Sequence, residues 1–350
     1  MIICIPLIFF LAPYSIVFET KFYPLLTESH FKHKLYQMNE TIDNFLLSSD
    51  KEYTNCAFCP KIPHSKWDIS YSTDRDVMIF MSFGYIHNRT IVFLHSLRDH
   101  GCKAKFVIFS DTKGYKQFQE YDKEIHFTDC GVICIDMGDF IAKQPNGMIN
   151  RFDLYKKKQQ LIAELINYYG SLIDRVFVID VSDSLAMVDP FLIIPPDGRA
   201  HVLYENWAIK NDQETCDQLH ILNNNSHEFD NHDIITGTII VGERYEVLRF
   251  VDVVTMIYDT HPQSDRILDQ SLYTYAFYYN LHKKYNLNLG VIEKFHGLIC
   301  PNTELIFGTD MDTQVYYNTT IRPIVIHHSQ WRCGPCEHYY HYCMTGNVFP

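Results

Sequence analysis

VFVIDVSDSLAMVDPF, residues 176–191, is the stretch on which the fold of this chain turns. Arg175-Val176-Phe177-Val178-Ile179 is apolar after its first residue, the pattern of a strand buried on both faces. It ends in Asp180, and Asp183 follows in the turn. Ligand sites of open α/β sheets lie at the carboxyl ends of strands. Two carboxylates there repel each other and are poorly solvated, so a cation usually joins them. Oxygen ligands of this kind suit Mg2+ or Mn2+, which keep positions open for phosphate oxygens. The same residues allow a plain structural account, with Asp180 capping the turn and Asp183 acting as N-cap of a short helix.

Outward from this turn the chain alternates strands with helices. Val77–Met81, Lys105–Phe109 and Val132–Ile135 are short apolar runs that predict further buried strands. Arg89–His100 has helical spacing at Ile91, Leu94 and Leu97, and Gly101 stands at its C-terminal stop. Asn150–Tyr169 predicts the longest helix, with Asn150 as cap, Asp153 three residues on, and Gly170 at its end. The Lys156-Lys157-Lys158 run on it is expected to be a solvated face, with Arg151 or Lys158 able to reach phosphate. After Pro190 the pattern is mixed: Ile239–Val241 and Pro323–Ile326 predict strands, and Ile267–Leu281 a helix. Strands and helices in this order imply one α/β domain over residues 74–330, with a mainly parallel sheet covered on both faces.

The strand, the Asp-x-x-Asp turn and the following Asp189-Pro190-Phe191 resemble the nucleotide-sugar site of GT-A-fold glycosyltransferases. They are similar to the lineage that reads Asp-Val-x-Asp followed by Asp-Pro-Phe, which often opens the preceding helix with Arg-Phe, here Arg151-Phe152. Thr236-Gly237-Thr238-Ile239-Ile240-Val241-Gly242 resembles that family's Asn-Ser-Gly strand, without its Asn. Asp269-Gln270 resembles the Asp-Gln pair that begins the next helix near the acceptor, and His327 stands where many GT-A enzymes place a metal-binding histidine. The resemblance implies a single GT-A-like domain with a mixed, mostly parallel sheet. It also implies a nucleotide-diphosphate sugar as donor and Mn2+ or Mg2+ as cofactor.

On that resemblance Asp180, Asp183 and His327 are the metal ligands, and Asp180, Arg151, Lys158 and Thr236 contact the donor. His328 is the alternative histidine, since neighbours on an extended strand point to opposite faces. Asp269, with Gln270 beside it, is the base candidate for an acceptor hydroxyl on a glycan, glycoprotein or glycolipid. For Asp269 the structural alternative is a helix-start residue favoured by the dipole. Tyr204-Glu205-Asn206-Trp207 suits either an acceptor pocket or core packing.

The 350-residue chain carries a net charge of -12, which argues against general nucleic-acid binding. Residues 2–18 are uncharged and apolar, which fits a signal peptide or a signal-anchor, hence a chain in the secretory lumen (Golgi or ER, as a type II membrane protein) or secreted. Residues 19–73 are expected to be a stem or a peripheral N-terminal extension, and residues 331–350 a Cys-, His- and aromatic-rich tail. Ten cysteines remain beyond Cys4, and an even number in that compartment favours disulfides. Cys333-Gly334-Pro335-Cys336 looks like a thioredoxin dithiol, but such a site needs a helix and sheet to follow, and only 14 residues do. Zinc held by Cys333, Cys336, His338, His341 or Cys343 fits by spacing, as does a disulfide-tied tail. The irregular acidic motif and the altered Asn-Ser-Gly strand also admit a carbohydrate-binding protein of the same fold without catalysis.

Overall fold

A run of consecutive apolar residues buries both faces of a strand, and four strands of this chain carry such a run side by side. The computed structural model describes residues 39–48, 53, 56, 58, 70–84, 86, 88–138, 151–181, 184–186, 188–194, 197–261, 266–281 and 285–292, with the strand segments 305–307, 315–317 and 325–327. Strands β1 (Val77–Ser82), β2 (Lys105–Ser110), β3 (Val132–Asp136) and β4 (Arg175–Val178) are mutually parallel. They continue into the antiparallel β7 (Asp233–Glu243), then β6 (Ala200–Ala208) and β8 (Leu289–Ile292), in the order 3-2-1-4-7-6-8. The short β5 (Ser184–Ala186) pairs with β11 (Val325–His327), and β9 (Leu305–Phe307) with β10 (Val315–Tyr317). The sheet is therefore mixed and mostly parallel on its amino-terminal side, as the sequence predicts.

Alternate residues of each strand sort onto two cores. Val77, Ile79, Val107, Phe109, Val176 and Val178 join one cluster; Met78, Phe80, Phe106, Ile108 and Phe177 join the other. The first face is covered by α4 (Arg151–Tyr169), α5 (Gln213–Leu222), α6 (Arg244–Thr260) and α7 (Asp269–Leu281), and the second by α2 (Asn88–Asp99) and Phe118 of α3 (Thr112–Ile125). The chain winds from β1 out to β3 and returns to β4 on the other side of β1. The crevice between the carboxyl ends of β1 and β4 is thus a topological switch point, where open α/β sheets bind ligands.

Three points go beyond or against the sequence reading. First, α1 (Asn39–Leu47) lies inside the expected stem or N-terminal extension, and its Ile42, Phe45 and Leu46 are buried in the core, with Cys56 joined to Cys130. Apolar residues three and four apart give even a short helix a face worth burying. Second, the lysine run of α4 is not a solvated face. Lys158 is buried, while Lys156 pairs with Asp259 and Lys157 with Asp153. Consecutive helical residues point about 100° apart, so three lysines in a row cannot share one face. Third, Cys102, Cys134 and Cys216 are buried thiols rather than disulfide partners. Among the described residues, no helix is long and apolar enough to cross a membrane. Residues 2–18, the tail from 331 and most of the expected stem lie outside the described residues.

Candidate active site

Asp180 follows β4 by two residues and is half-buried at the switch point. Val178 opposes Ile240 on β7, so the chain beyond Val178 runs toward the Gly237 end of that strand. Gly237 is there for space. A Cβ on it would stand 2.6 Å from Gln270 Cα and 2.8 Å from Asp269 C, both backbone atoms. Only glycine lets the start of α7 lie directly on β7. The two segments singled out in the sequence, Thr236-Gly237 and Asp269-Gln270, are therefore in contact.

Beneath them is a buried ion pair. Lys158 Nζ donates to Asp269 Oδ2 at 3.1 Å and to the Gly237 carbonyl at 3.1 Å, and both side chains are 6% exposed. Burial alone would lower the lysine pKa, but the charge of Asp269, with Tyr273 and Asp180 behind it, raises it above the ordinary value. Lys158 is thus a fixed cation, and Asp180 stands close enough to act on it and on Tyr273. Burial pushes the Tyr273 hydroxyl up to about 12, and it donates to Gln159 Oε1 at 3.0 Å.

The start of α7 is held from several sides. Gln218 Oε1, on α5, accepts from Leu268 N at 2.9 Å and from Ser271 Oγ at 2.8 Å, which ties the first turn of α7 to α5. Gln270 Nε2 donates to Thr215 Oγ1 at 3.1 Å, and Ile235 N donates to Thr274 Oγ1 at 3.0 Å. Thr236 is buried. Asp269 accepts from Lys158 through one oxygen and from Gln270 N at 3.0 Å through the other. For a residue expected to serve as a base this is an enclosed setting, and its bonds fix the helix start in place.

The second element that carries a candidate residue is the β5–β11 ribbon. Its register sets His327 opposite Ser184, Ile326 opposite Leu185 and Val325 opposite Ala186. The backbone of His327 is therefore brought beside the residue that follows Asp183. Asp183 and His328 lie outside the described residues, as do the side chains of His327 and Arg151. Asp189 has a structural duty. Its Oδ2 accepts from Tyr71 N, Ser72 N and Ser72 Oγ at 2.7, 2.7 and 2.6 Å, and Oδ1 accepts from Phe191 N at 3.1 Å. It caps the short helix Pro190–Ile193 and ties the chain before β1 to it. Tyr204 packs edge-on against Phe277, 6.0 Å between centroids, which is core packing.

Sequence reasoning passed over the other lip of the crevice, Ser82-Phe83-Gly84 at the end of β1, where Gly84 has φ +92°. The signal was present as a glycine two residues beyond an apolar strand. It also missed Tyr273, although four residues after Asp269 is the same face of a helix.

The sequence matches no protein-family model and no curated protein. A crystal structure of the galactosyltransferase LgtC, in complex with donor and acceptor sugar analogs, is similar in fold: TM-score 0.50 and 11% identity over 78% of this chain and 97% of that one. An active-site mutant of LgtC superimposes with TM-score 0.49 at 9% identity, covering 78% and 97% of the two chains. At these identities the likeness speaks to architecture: the chain has a GT-A-like α/β fold with a mostly parallel central sheet, of the kind LgtC has.

Proposed function

We propose that this chain is a metal-dependent glycosyltransferase that moves a sugar from a nucleotide-diphosphate sugar to an acceptor hydroxyl. The observation that carries the proposal is the convergence at one switch point of Asp180, the Gly237–Asp269 contact and, through the β5–β11 register, the backbone of His327. Support comes from the fold shared with LgtC, whose structure holds donor and acceptor sugar analogs.

The residue types suit a divalent cation. The β5–β11 register sets the backbone of His327 opposite Ser184, the residue after Asp183, and carboxylates suit Mn2+ or Mg2+, an imidazole being better tolerated by Mn2+. Asp183, Asp180 and His327 would hold the ion, which when bound supplies a Lewis acid for the leaving diphosphate. Lys158 and Asp269 set the position of the α7 start and of β7, so that Thr236 and Gln270 keep fixed places beside the crevice. Thr236, Arg151 and the β1 end at Ser82–Gly84 are the proposed donor contacts. The acceptor is a glycan, glycoprotein or glycolipid, and the apolar residues 2–18 support a secretory location.

Purified full-length chain incubated with a panel of nucleotide sugars should hydrolyse or transfer from one of them with Mn2+ or Mg2+ and stop when the metal is chelated. Asp180→Asn and Asp183→Ala should each lower the rate at least about 100-fold, the scale of removing one preorganised electrostatic group. A panel without metal-dependent turnover or donor binding refutes the proposal and leaves the carbohydrate-binding alternative.

A further inference from the structure

Away from the crevice, α5 and the loop after it gather four potential metal ligands. Cys216 and His220 are one turn apart on α5, so both side chains leave the same face. Asn224 and Asn225 then adopt left-handed backbone, φ 50° and 61°, and turn the chain back over that face. Phe229 anchors the returning loop, stacked on Tyr278 of α7 with 5.3 Å between centroids. The fold-back delivers Asp230 to His220, with Oδ1 2.7 Å from Nε2. Cys216 Sγ lies 3.6 Å from the same nitrogen and 4.0 Å from the same oxygen. His227 Nδ1 is 2.8 Å from the other carboxylate oxygen of Asp230.

From this convergence we propose a zinc site in which Cys216 Sγ, His220 Nε2 and Asp230 Oδ1 are the protein ligands, with His227 orienting the Asp230 carboxylate. A nucleophilic Cys-His-Asp triad needs the acid on the opposite ring nitrogen from the thiol. Here one nitrogen faces both groups, and a single ring nitrogen carries at most one proton to share. Three potential ligand atoms within 4.8 Å of one another can close on a single ion. Ligand bonds of about 2.0–2.3 Å at tetrahedral angles put ligand atoms roughly 3.3–3.6 Å apart. The observed 3.6, 4.0 and 2.7 Å surround that range, so shifts of under about 1 Å seat the ion.

Thiolate with imidazole and one carboxylate selects Zn2+ over the harder ions proposed for the crevice. A hydrogen bond from His227 to the ligating carboxylate is the outer-shell support such sites carry. Cys216 is buried while His220 and Asp230 are 19% and 21% exposed, so the site has an apolar floor and an entry path. The ion would clamp the loop that leads into β7 to the helix whose Thr215 holds Gln270. The proposal stands independently of the glycosyltransferase assignment.

The test uses the full-length chain, stripped with a chelator and titrated with Zn2+ against a chromophoric competitor, and separately with Co2+. One equivalent of Zn2+ and a thiolate-to-cobalt charge-transfer band should be present, retained in a Cys333→Ser/Cys336→Ser variant and lost in Cys216→Ser and in His220→Gln. His227→Ala should keep the equivalent but bind it roughly 10- to 100-fold more weakly. In the unmutated protein Zn2+ should block alkylation of Cys216, mapped by mass spectrometry, and chelation should restore it, so the result does not depend on a variant that folds. Unchanged Zn2+ stoichiometry and affinity in Cys216→Ser and His220→Gln overturn the proposal. So does Cys216 alkylated equally with and without Zn2+, or found in a disulfide.

Discussion

Asp269→Ala isolates what the buried ion pair does. The substitution removes the carboxylate that Lys158 meets at 3.1 Å and leaves an ammonium whose side chain is 6% exposed. Breaking a buried pair from one side costs roughly 3–5 kcal/mol, because the remaining charge has lost its partner. Lys158 keeps the Gly237 carbonyl and the nearby negative charge of Asp180, so the lower end, about 3 kcal/mol, is expected. That is a large part of a total stability on the order of 5–15 kcal/mol, and in a domain of this size it lowers Tm by roughly 6–12 °C. Lys158→Met should cost less, since the orphaned carboxyl can take up a proton. Burial already holds the Asp269 pKa above the ordinary 3.8. In that variant the folded chain therefore binds a proton more tightly than the unfolded one. Its deficit is fully present above the raised folded pKa and shrinks as pH falls through that pKa toward 3.8. The double variant Lys158→Met/Asp269→Leu replaces the pair with apolar groups and should recover at least about half of the Asp269→Ala loss. Denaturant unfolding followed by circular dichroism measures all three. A loss under about 1 kcal/mol for Asp269→Ala, or a double variant as weak as the sum of the singles, would refute the placement of this pair.

Asp189→Ala leaves Tyr71 N, Ser72 N, Ser72 Oγ and Phe191 N without their acceptor. The expected loss is about 2–4 kcal/mol, read as a fall in Tm, with Asp189→Asn losing less because one oxygen remains. Gly237→Ala drives a methyl into the backbone of Asp269 and Gln270 and should cost about 1–3 kcal/mol. It should also weaken donor binding, measured by calorimetry, because the α7 start must move. Unaltered stability there would mean that the β7–α7 contact is looser than described.

The parallel half of the sheet was legible because its strands are apolar at consecutive positions, which few other structures tolerate. Lys105–Phe109 and Val132–Ile135 fall inside β2 and β3, and the Asn150–Tyr169 helix is α4 from Arg151. The antiparallel half was less legible. The helix α6, RYEVLRFVDVVTMIYDT, went unpredicted because its β-branched residues favour strands. It is helical because Val247, Phe250, Val251, Val254 and Ile257 bury one face against the sheet, and tertiary packing outweighs propensity. Its N-cap is Glu243, which accepts from Tyr245 N and Glu246 N, and glutamate is not among the residues that advertise a helix start. The β7 strand runs from Asp233 to Glu243, well beyond the predicted Ile239–Val241, because Gly237 and Gly242 interrupt the apolar pattern at points of close backbone approach.

For the candidate site, the sequence names three acids whose surroundings only the fold supplies. Asp180, Asp189 and Asp269 are alike in letters: each is an acid beside a strand or at a helix start, and each belonged to the resemblance. What separates Asp189 from Asp269 is the supply of donors around each carboxylate. Asp189 meets four N–H or O–H groups and is committed to holding the chain before β1. Asp269 meets a buried ammonium and its own helix, and is committed to fixing α7 on β7. Asp180 is the half-buried one, at the switch point, where its charge acts on Lys158 and Tyr273 across the crevice floor. Donor supply comes from segments more than 100 residues away in sequence, Lys158 for Asp269 and Ser72 for Asp189, so no local pattern encodes it. Acidic motifs in such folds are therefore best sorted by what already faces each carboxylate. By that criterion Asp189 is where substitution should remove stability, while Asp180 is a candidate for chemistry by its place at the switch point.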